Sequence, residues 1–323
     1  MTVATTTSVR PKGTLKRWAI HRGIESAARI GRLLGSGRRH LARCEVTRDI
    51  SYGPLAEQRL DVYRPAASKG LLPVLLYVHG GGFSFCSKET HWSFASRYAL
   101  MGFVVFNIDY RLAPTHKFPA AFDDAARALA WVREQAPKYG GDPSRIVIAG
   151  ESAGGNLTTS LVAASCYRLS LPSAAALFDS APPIVAALPA CGVLQVTDMA
   201  RFKRRKESLP DWLAAQLETM ERSYLGRADH GAEALFLADP LRLIEEQKPA
   251  RPLPPLFVFV GTRDFLLDDS RRLHAAVQAH GSPSELHIYP DEIHAFHALP
   301  WRPATRSCWA EKRRFLSELG LVS

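Results

Sequence analysis

Two hydrophobic patterns alternate along most of the 323-residue chain. Short apolar runs rich in β-branched residues recur between longer stretches whose apolar positions repeat every three to four residues, the spacing of a helix with one buried face. Strands are predicted over 71–78, 103–108, 145–149, 184–188, 256–260 and 286–289. Most of these runs are apolar throughout, which suits strands covered on both faces. Residues 44–51 and 58–64 predict two more strands, joined at the turn signal Tyr52-Gly53-Pro54, and the alternation over 59–63 suits an edge hairpin. Helices are predicted over 90–101, 120–136, 155–164, 270–280 and 309–319, with Gly281 and Gly320 just past the last two. Strands alternating with helices imply an α/β protein with a mostly parallel central sheet flanked by helices.

Two regions break the rhythm. Residues 15–34 carry apolar positions among Lys16, Arg17, Arg22, Arg29 and Arg32, with Gly23 and Gly31 interrupting an imperfect helical face. Three readings compete there: a helix packed over an active site, favoured first, a membrane-surface helix, and a solvated basic tail. The second region, 194–255, separates two strands by more than an ordinary connection spans. With helix-like pieces at 212–224 and 241–247, it reads as a helical cap. The resulting division is a basic N-terminal segment over 1–45 that joins the cap, core over 46–193, cap insertion over 194–255 and core again over 256–323.

Charge changes the picture only at one end. The net +10 invites nucleic acid as a partner, but residues 1–50 hold 11 Lys/Arg against 3 Asp/Glu, and the remainder holds 30 against 28. The basicity therefore belongs to the N-terminal segment, and no nucleic-acid partner is expected. Five scattered cysteines, at 44, 86, 166, 191 and 308, show no metal-ligand spacing, so neither metal nor cofactor is expected, and the set suits the reducing cytoplasm. No apolar stretch reaches the roughly 18 residues of a membrane span.

The candidate chemistry sits where predicted strands end. Gly150-Glu151-Ser152-Ala153-Gly154 falls between the strand at 145–149 and the helix at 155–164. This is the strand–turn–helix setting of a nucleophile elbow, in which a serine on a sharp, strained turn exposes its hydroxyl at the carboxyl end of a sheet. Alone the pattern is weak, since chance produces G-x-S-x-G in roughly one chain in ten of this length. A serine hydroxyl also needs a base, an orienting carboxylate and donors for the developing oxyanion. His79-Gly80-Gly81-Gly82 ends the strand at 71–78 and offers two uncovered backbone N–H groups, with Ala153 giving a third. His79 itself suits a structural role, bonding loop backbone. For the base, His294 follows the last strand in a loop, whereas His287 lies within that strand and His297 falls three residues later. For the acid, Asp264 follows the penultimate strand directly, ahead of Asp268 and Asp269. The order serine, aspartate, histidine is that of the α/β-hydrolases.

On these motifs the chain resembles the hormone-sensitive-lipase group of α/β-hydrolases, bacterial esterases of the H-G-G-G type. The matching stretches are His79-Gly-Gly-Gly-Phe83, Asp109-Tyr-Arg-Leu-Ala-Pro114, Phe118-Pro-Ala-Ala121 and Gly150-Glu-Ser-Ala-Gly-Gly155, with Asp264 and His294 in their loops. The resemblance implies a carboxylic ester hydrolase with Ser152 as nucleophile, His294 as base, Asp264 as orienter, and Gly81, Gly82 and Ala153 as oxyanion donors. It implies a supporting role for Glu151, where the family often has Asp, and a structural role for Tyr110 and Arg111. It also implies small-molecule esters of short to medium acyl length. One departure is Asp264-Phe265-Leu266, where relatives commonly carry Asp-Pro-Leu. Competing functions are a silent ligand-binding module, from which the histidine would be missing, and attack on amides or lactones by the same machinery.

Overall fold

The computed structural model describes residues 30–205 and 209–322, with Gly23, Ser26 and Ala28. Most of the helix predicted over 15–34 lies outside the described residues. Eight strands form one sheet: β1 (Cys44–Ser51), β2 (Arg59–Pro65), β3 (Leu72–Val78), β4 (Val104–Ile108), β5 (Gly141–Glu151), β6 (Ile184–Ala190), β7 (Leu256–Gly261) and β8 (Ser284–Tyr289). Their order is β1-β2-β4-β3-β5-β6-β7-β8. β1 pairs antiparallel with β2, and β2 with β4, while every pairing from β4 to β8 is parallel. The mostly parallel sheet and the edge hairpin predicted from the alternation are both present.

Alternate residues of the central strands feed two cores. Val74, Leu76 and Val78 face one side, with helices α3 (Ala120–Gln135), α4 (Ala153–Cys166), α5 (Pro172–Ser180), α9 (Pro240–Glu246) and α10 (Leu267–Ala279). Leu75 and Tyr77 face the other, with α2 (Trp92–Ala99) and α11 (Pro303–Glu318). Covering both faces is what makes apolar runs, in place of alternation, the right strand pattern here. A short helix, α1 (Gly35–Leu41), precedes β1.

The insertion contributes α6 (Arg201–Arg205), α7 (Asp211–Leu225), α8 (Ala232–Leu235) and α9. Its two ends behave differently. Leu237, Ala238, Leu241, Ile244 and Leu253 join the main core, and Ser160 Oγ of α4 donates to the Leu237 carbonyl (2.8 Å). α7 instead reaches the loop after β3: the Tyr224 ring stacks on Phe83 with centroids 3.8 Å apart. Register aligns the strand ends, with Val78 of β3 opposite both Ile108 of β4 and Gly150 of β5, and Glu151 opposite Ala190 of β6. Loops leaving β3, β5, β6, β7 and β8 therefore emerge on one edge, where open parallel sheets hold their sites.

Candidate active site

The turn between β5 and α4 places Ser152 at φ +56° and ψ −115°. For a residue with a side chain this backbone is costly, by about 1–3 kcal/mol, and it persists only where surrounding bonds fix it. Ser152 N–H donates to the Ala190 carbonyl (2.9 Å), and the Ser152 carbonyl accepts from Asn156 N–H (3.0 Å) and Val193 N–H (3.2 Å). The flanking glycines are required sterically. A Cβ at Gly154 would lie 2.0 Å from the Val78 carbonyl oxygen, and one at Gly150 2.5 Å from the same atom. Ala153, fully buried, opens α4, so its N–H is among those at the helix start that lack an intrahelical acceptor.

The glycine loop after β3 is pinned from several sides. The Gly81 carbonyl accepts from Ser84 N–H (3.0 Å) and Phe85 N–H (3.1 Å), which turns the loop. Gly81 has φ +106°, and a Cβ there would sit 2.1 Å from the Phe85 oxygen, so only glycine fits. Gly82 lies beneath α7, its missing Cβ position 3.2 Å from Met220 Sδ. His79 bonds the loop backbone through Nδ1 and the Gly80 carbonyl (2.7 Å), and its ring stacks on Tyr110, whose hydroxyl donates to the His79 carbonyl (2.9 Å). Arg111 holds the carboxylate of Asp124 on α3 with two bonds of 2.8 Å. Through these contacts His79, Tyr110 and Arg111 brace the loop and the strand ends around it. Phe83 and Trp92 are core residues, on opposite faces of the sheet.

Glu151 is buried between strand and loop. Its Oε1 accepts from Gly80 N–H and from His91 Nε2, both at 2.6 Å, and its Oε2 from the Tyr77 hydroxyl at 2.5 Å. Burial works against its charge, but His91 and these donors hold its pKa below the usual carboxylate value. Burial likewise works against a charged His91, and the Glu151 carboxylate beside it outweighs that and raises its pKa. The part played by His91 was not read from the sequence.

Asp264 leaves β7 and His294 follows β8. His294 Nδ1–H donates to Asp264 Oδ2 (2.9 Å), while Asp264 Oδ1 accepts from Leu266 N–H (2.9 Å). A carboxylate only accepts, so the neutral imidazole carries its proton on Nδ1 and its lone pair on Nε2. Burial disfavours the imidazolium, yet Asp264 and the thiol of Cys191 beside it carry the His294 pKa well above the ordinary value. The substitution of Phe265 for the commoner proline leaves this turn intact, because the bond uses the N–H of Leu266. The Phe265 ring instead lies 5.2 Å from the His294 ring and meets Phe202 of α6 edge-on. The other histidine candidates serve elsewhere: His287 pairs with Glu285 (2.8 Å) and stacks on Phe257, and His297 is packed between Phe94 and Phe259.

Asp268 and Asp269 separate in the first turn of α10. Asp268 is partly exposed, whereas Asp269 is buried, bonded to Leu194 N–H (3.0 Å) and Arg201 (2.6 Å). The insertion also carries a basic run over 201–206. Lys203 and Arg204 are exposed and paired with Asp211 and Asp198, but Arg201 is buried against Asp269, because a fixed carboxylate offsets its desolvation.

A parallel sheet in this order, carrying its elbow at the end of the central strand β5, defines an α/β-hydrolase. A family described as alpha/beta hydrolase fold matches residues 75–298, and the chain belongs to it; within that fold it is a hormone-sensitive-lipase-like member. Carboxylesterase NlhH of Mycobacterium tuberculosis is 33% identical over 259 residues, covering 77% of this chain and 74% of its own. The hyperthermophilic esterase of the archaeon Pyrobaculum calidifontis is 25% identical with a TM-score of 0.76, covering 98% of this chain and 95% of its own. The esterase EstE5, whose crystal was soaked with p-nitrophenyl butyrate, is 27% identical with a TM-score of 0.72 and covers 98% and 94%.

Proposed function

We propose that this chain hydrolyses carboxylic esters of short to medium acyl length through an acyl-enzyme on Ser152. His294 Nε2 takes the Ser152 proton as Oγ attacks the ester carbonyl, and returns it to the departing alcohol. Water, deprotonated by the same nitrogen, then releases the acid. Asp264 holds the imidazole in the productive tautomer and stabilises the imidazolium formed in each step. The N–H groups of Gly81, Gly82 and Ala153 receive the oxyanion. The observation that carries this reading is the 2.9 Å His294–Asp264 bond on the same sheet edge as a serine held at φ +56°. The esterase names of the relatives support the reaction class.

Helix α7 of the insertion covers the site as part of a cap, a reading supported by the contacts of Met220 and Tyr224 with the glycine loop. No disulfide joins the five cysteines, in keeping with a reducing compartment such as the cytoplasm. Among the described residues, no helix is long and apolar enough to cross a membrane. Hydrolysis of p-nitrophenyl acetate, butyrate and longer esters by wild type and Ser152→Ala tests the reading. Wild-type turnover should favour the shorter esters, and the variant should lose about 10³-fold or more of it. Equal turnover in both would remove Ser152 from the mechanism.

A further inference from the structure

Glu151 flanks the nucleophile, yet among the described residues its carboxylate makes no bond to the serine. Its carboxylate faces the glycine loop instead, and His91, from the start of a third segment, is bound to the same oxygen that holds Gly80 N–H. The surroundings of the His91 ring define its charge. Nε2 meets a carboxylate oxygen at 2.6 Å, so it must donate. Nδ1 faces the Thr90 hydroxyl oxygen (2.7 Å) and the Ser87 carbonyl (3.2 Å). The Thr90 hydroxyl donates to the Ser87 carbonyl (2.7 Å) and accepts from Ser87 N–H (3.0 Å), which leaves one lone pair for the ring. Both ring nitrogens therefore have a protein acceptor in reach, Glu151 for Nε2 and the Ser87 carbonyl for Nδ1, an arrangement that suits an imidazolium.

We infer that His91 is a positioning residue for ester hydrolysis: its buried ion pair with Glu151 aims that carboxylate at Gly80 N–H and so fixes the oxyanion loop against the nucleophile elbow. The inference rests on the reading of Gly81 and Gly82 as oxyanion donors. Three chain segments meet at one carboxylate, namely β3 through Tyr77 and Gly80, β5 through Glu151, and the start of α2 through His91. A Cβ at Gly80 would fall 2.5 Å from Glu151 Oε1, so the carboxylate lies directly against the loop backbone. Without the imidazolium, a carboxylate in this buried place takes up a proton or turns away, and Gly80 loses its acceptor. The two following N–H groups then drift from the place where the oxyanion forms. Preorganised donors act only if they are aimed before the charge develops.

The rival role for His91 is packing alone, beside Tyr77, His79 and Phe94. The two roles differ in what they move. Positioning predicts that His91→Ala lowers kcat by about 10- to 100-fold, less than deleting a donor outright, with KM within about threefold. Affinity for butylboronic acid, which forms a tetrahedral adduct with the serine, should fall in parallel with kcat. His91→Gln, which keeps a donor toward Glu151 without the charge, should lie between wild type and alanine, and it serves as the second variant if alanine does not fold. His91→Ala and Glu151→Gln should be non-additive, the double variant falling within about twofold of the worse single one, because both act through one carboxylate. Folded His91 variants with kcat and boronate affinity within about twofold of wild type, or losses that multiply in the cycle, would overturn the inference. Ser152→Ala is assayed alongside. Activity retained there removes the nucleophile assignment, whereas an inactive Ser152→Ala beside fully active His91 variants removes only the positioning role.

Discussion

At the scale of single residues, the proposed mechanism makes the ionisation of His294 govern the pH behaviour. The imidazole must be neutral to accept the serine proton, and Asp264 with Cys191 outweighs burial to raise its pKa. kcat/KM should therefore climb with pH through a pKa above the ordinary histidine value of about 6.5 and level off beyond it. Asp264→Asn removes the charge, so its acid limb should shift to lower pH while its plateau drops by about 10³- to 10⁴-fold. An unmoved limb would mean that another group sets it. The Glu151–His91 pair has a different signature, in stability. The folded pKa of His91 is raised, so its contribution is complete at low pH and fades as pH rises through that pKa; that of Glu151 is lowered, so its contribution fades as pH falls through its own. The pair stabilises the fold between those two values. Thermal melts should show His91→Gln losing most, relative to wild type, inside that window.

At the scale of elements, the insertion is fastened by buried polar and aromatic contacts. Arg201 reaches Asp269 at the start of α10, and the two side chains are 3% and 0% exposed. Arg201→Ala would leave Asp269 without its cation and cost about 3–5 kcal/mol in urea unfolding. Burial already raises the Asp269 pKa against the pull of Arg201, and removing the arginine raises it further. The folded variant then binds more protons than the unfolded chain, so its deficit should shrink as pH falls. A deficit independent of pH would place the loss in packing.

The same contacts show what was legible in the sequence. The strands at β3, β4 and β7 were readable because each is buried on both faces and so apolar in nearly every position. β5 begins earlier than its apolar run, at Gly141, because Asp142 and Pro143 disguise its first residues as a turn. α5 went unpredicted: it spans two and a half turns and buries only Ala174, Leu177 and Phe178. The glycines, Ser152, Asp264 and His294 were readable because backbone geometry and strand ends restrict their residue types. Arg201 with Asp269, and Cys191 beside His294, were not, since each pairing joins residues far apart in the chain whose types have ordinary solvated alternatives. His91 escaped for the same reason, being 60 positions from Glu151.

At the scale of the whole molecule, excess charge and chemistry are separated. The positive excess lies in the N-terminal 50 residues, and the described part of that segment docks beside the glycine loop's own helix. Arg32 pairs with Glu89 (2.5 Å), and Trp92 Nε1–H donates to the Ala28 carbonyl (3.1 Å). The site gathers on the edge where the parallel strands end, so five loops distant in sequence contribute to one place. In the proposed mechanism all of this converges on one reactive atom, Ser152 Oγ. The most direct test is the intact mass of the enzyme after treatment with a p-nitrophenyl alkylphosphonate, followed by peptide mapping. The account predicts one phosphonyl adduct per chain, on Ser152, absent from Ser152→Ala and much slower to form in His294→Ala. An adduct on any other residue, or none while ester hydrolysis proceeds, would contradict it.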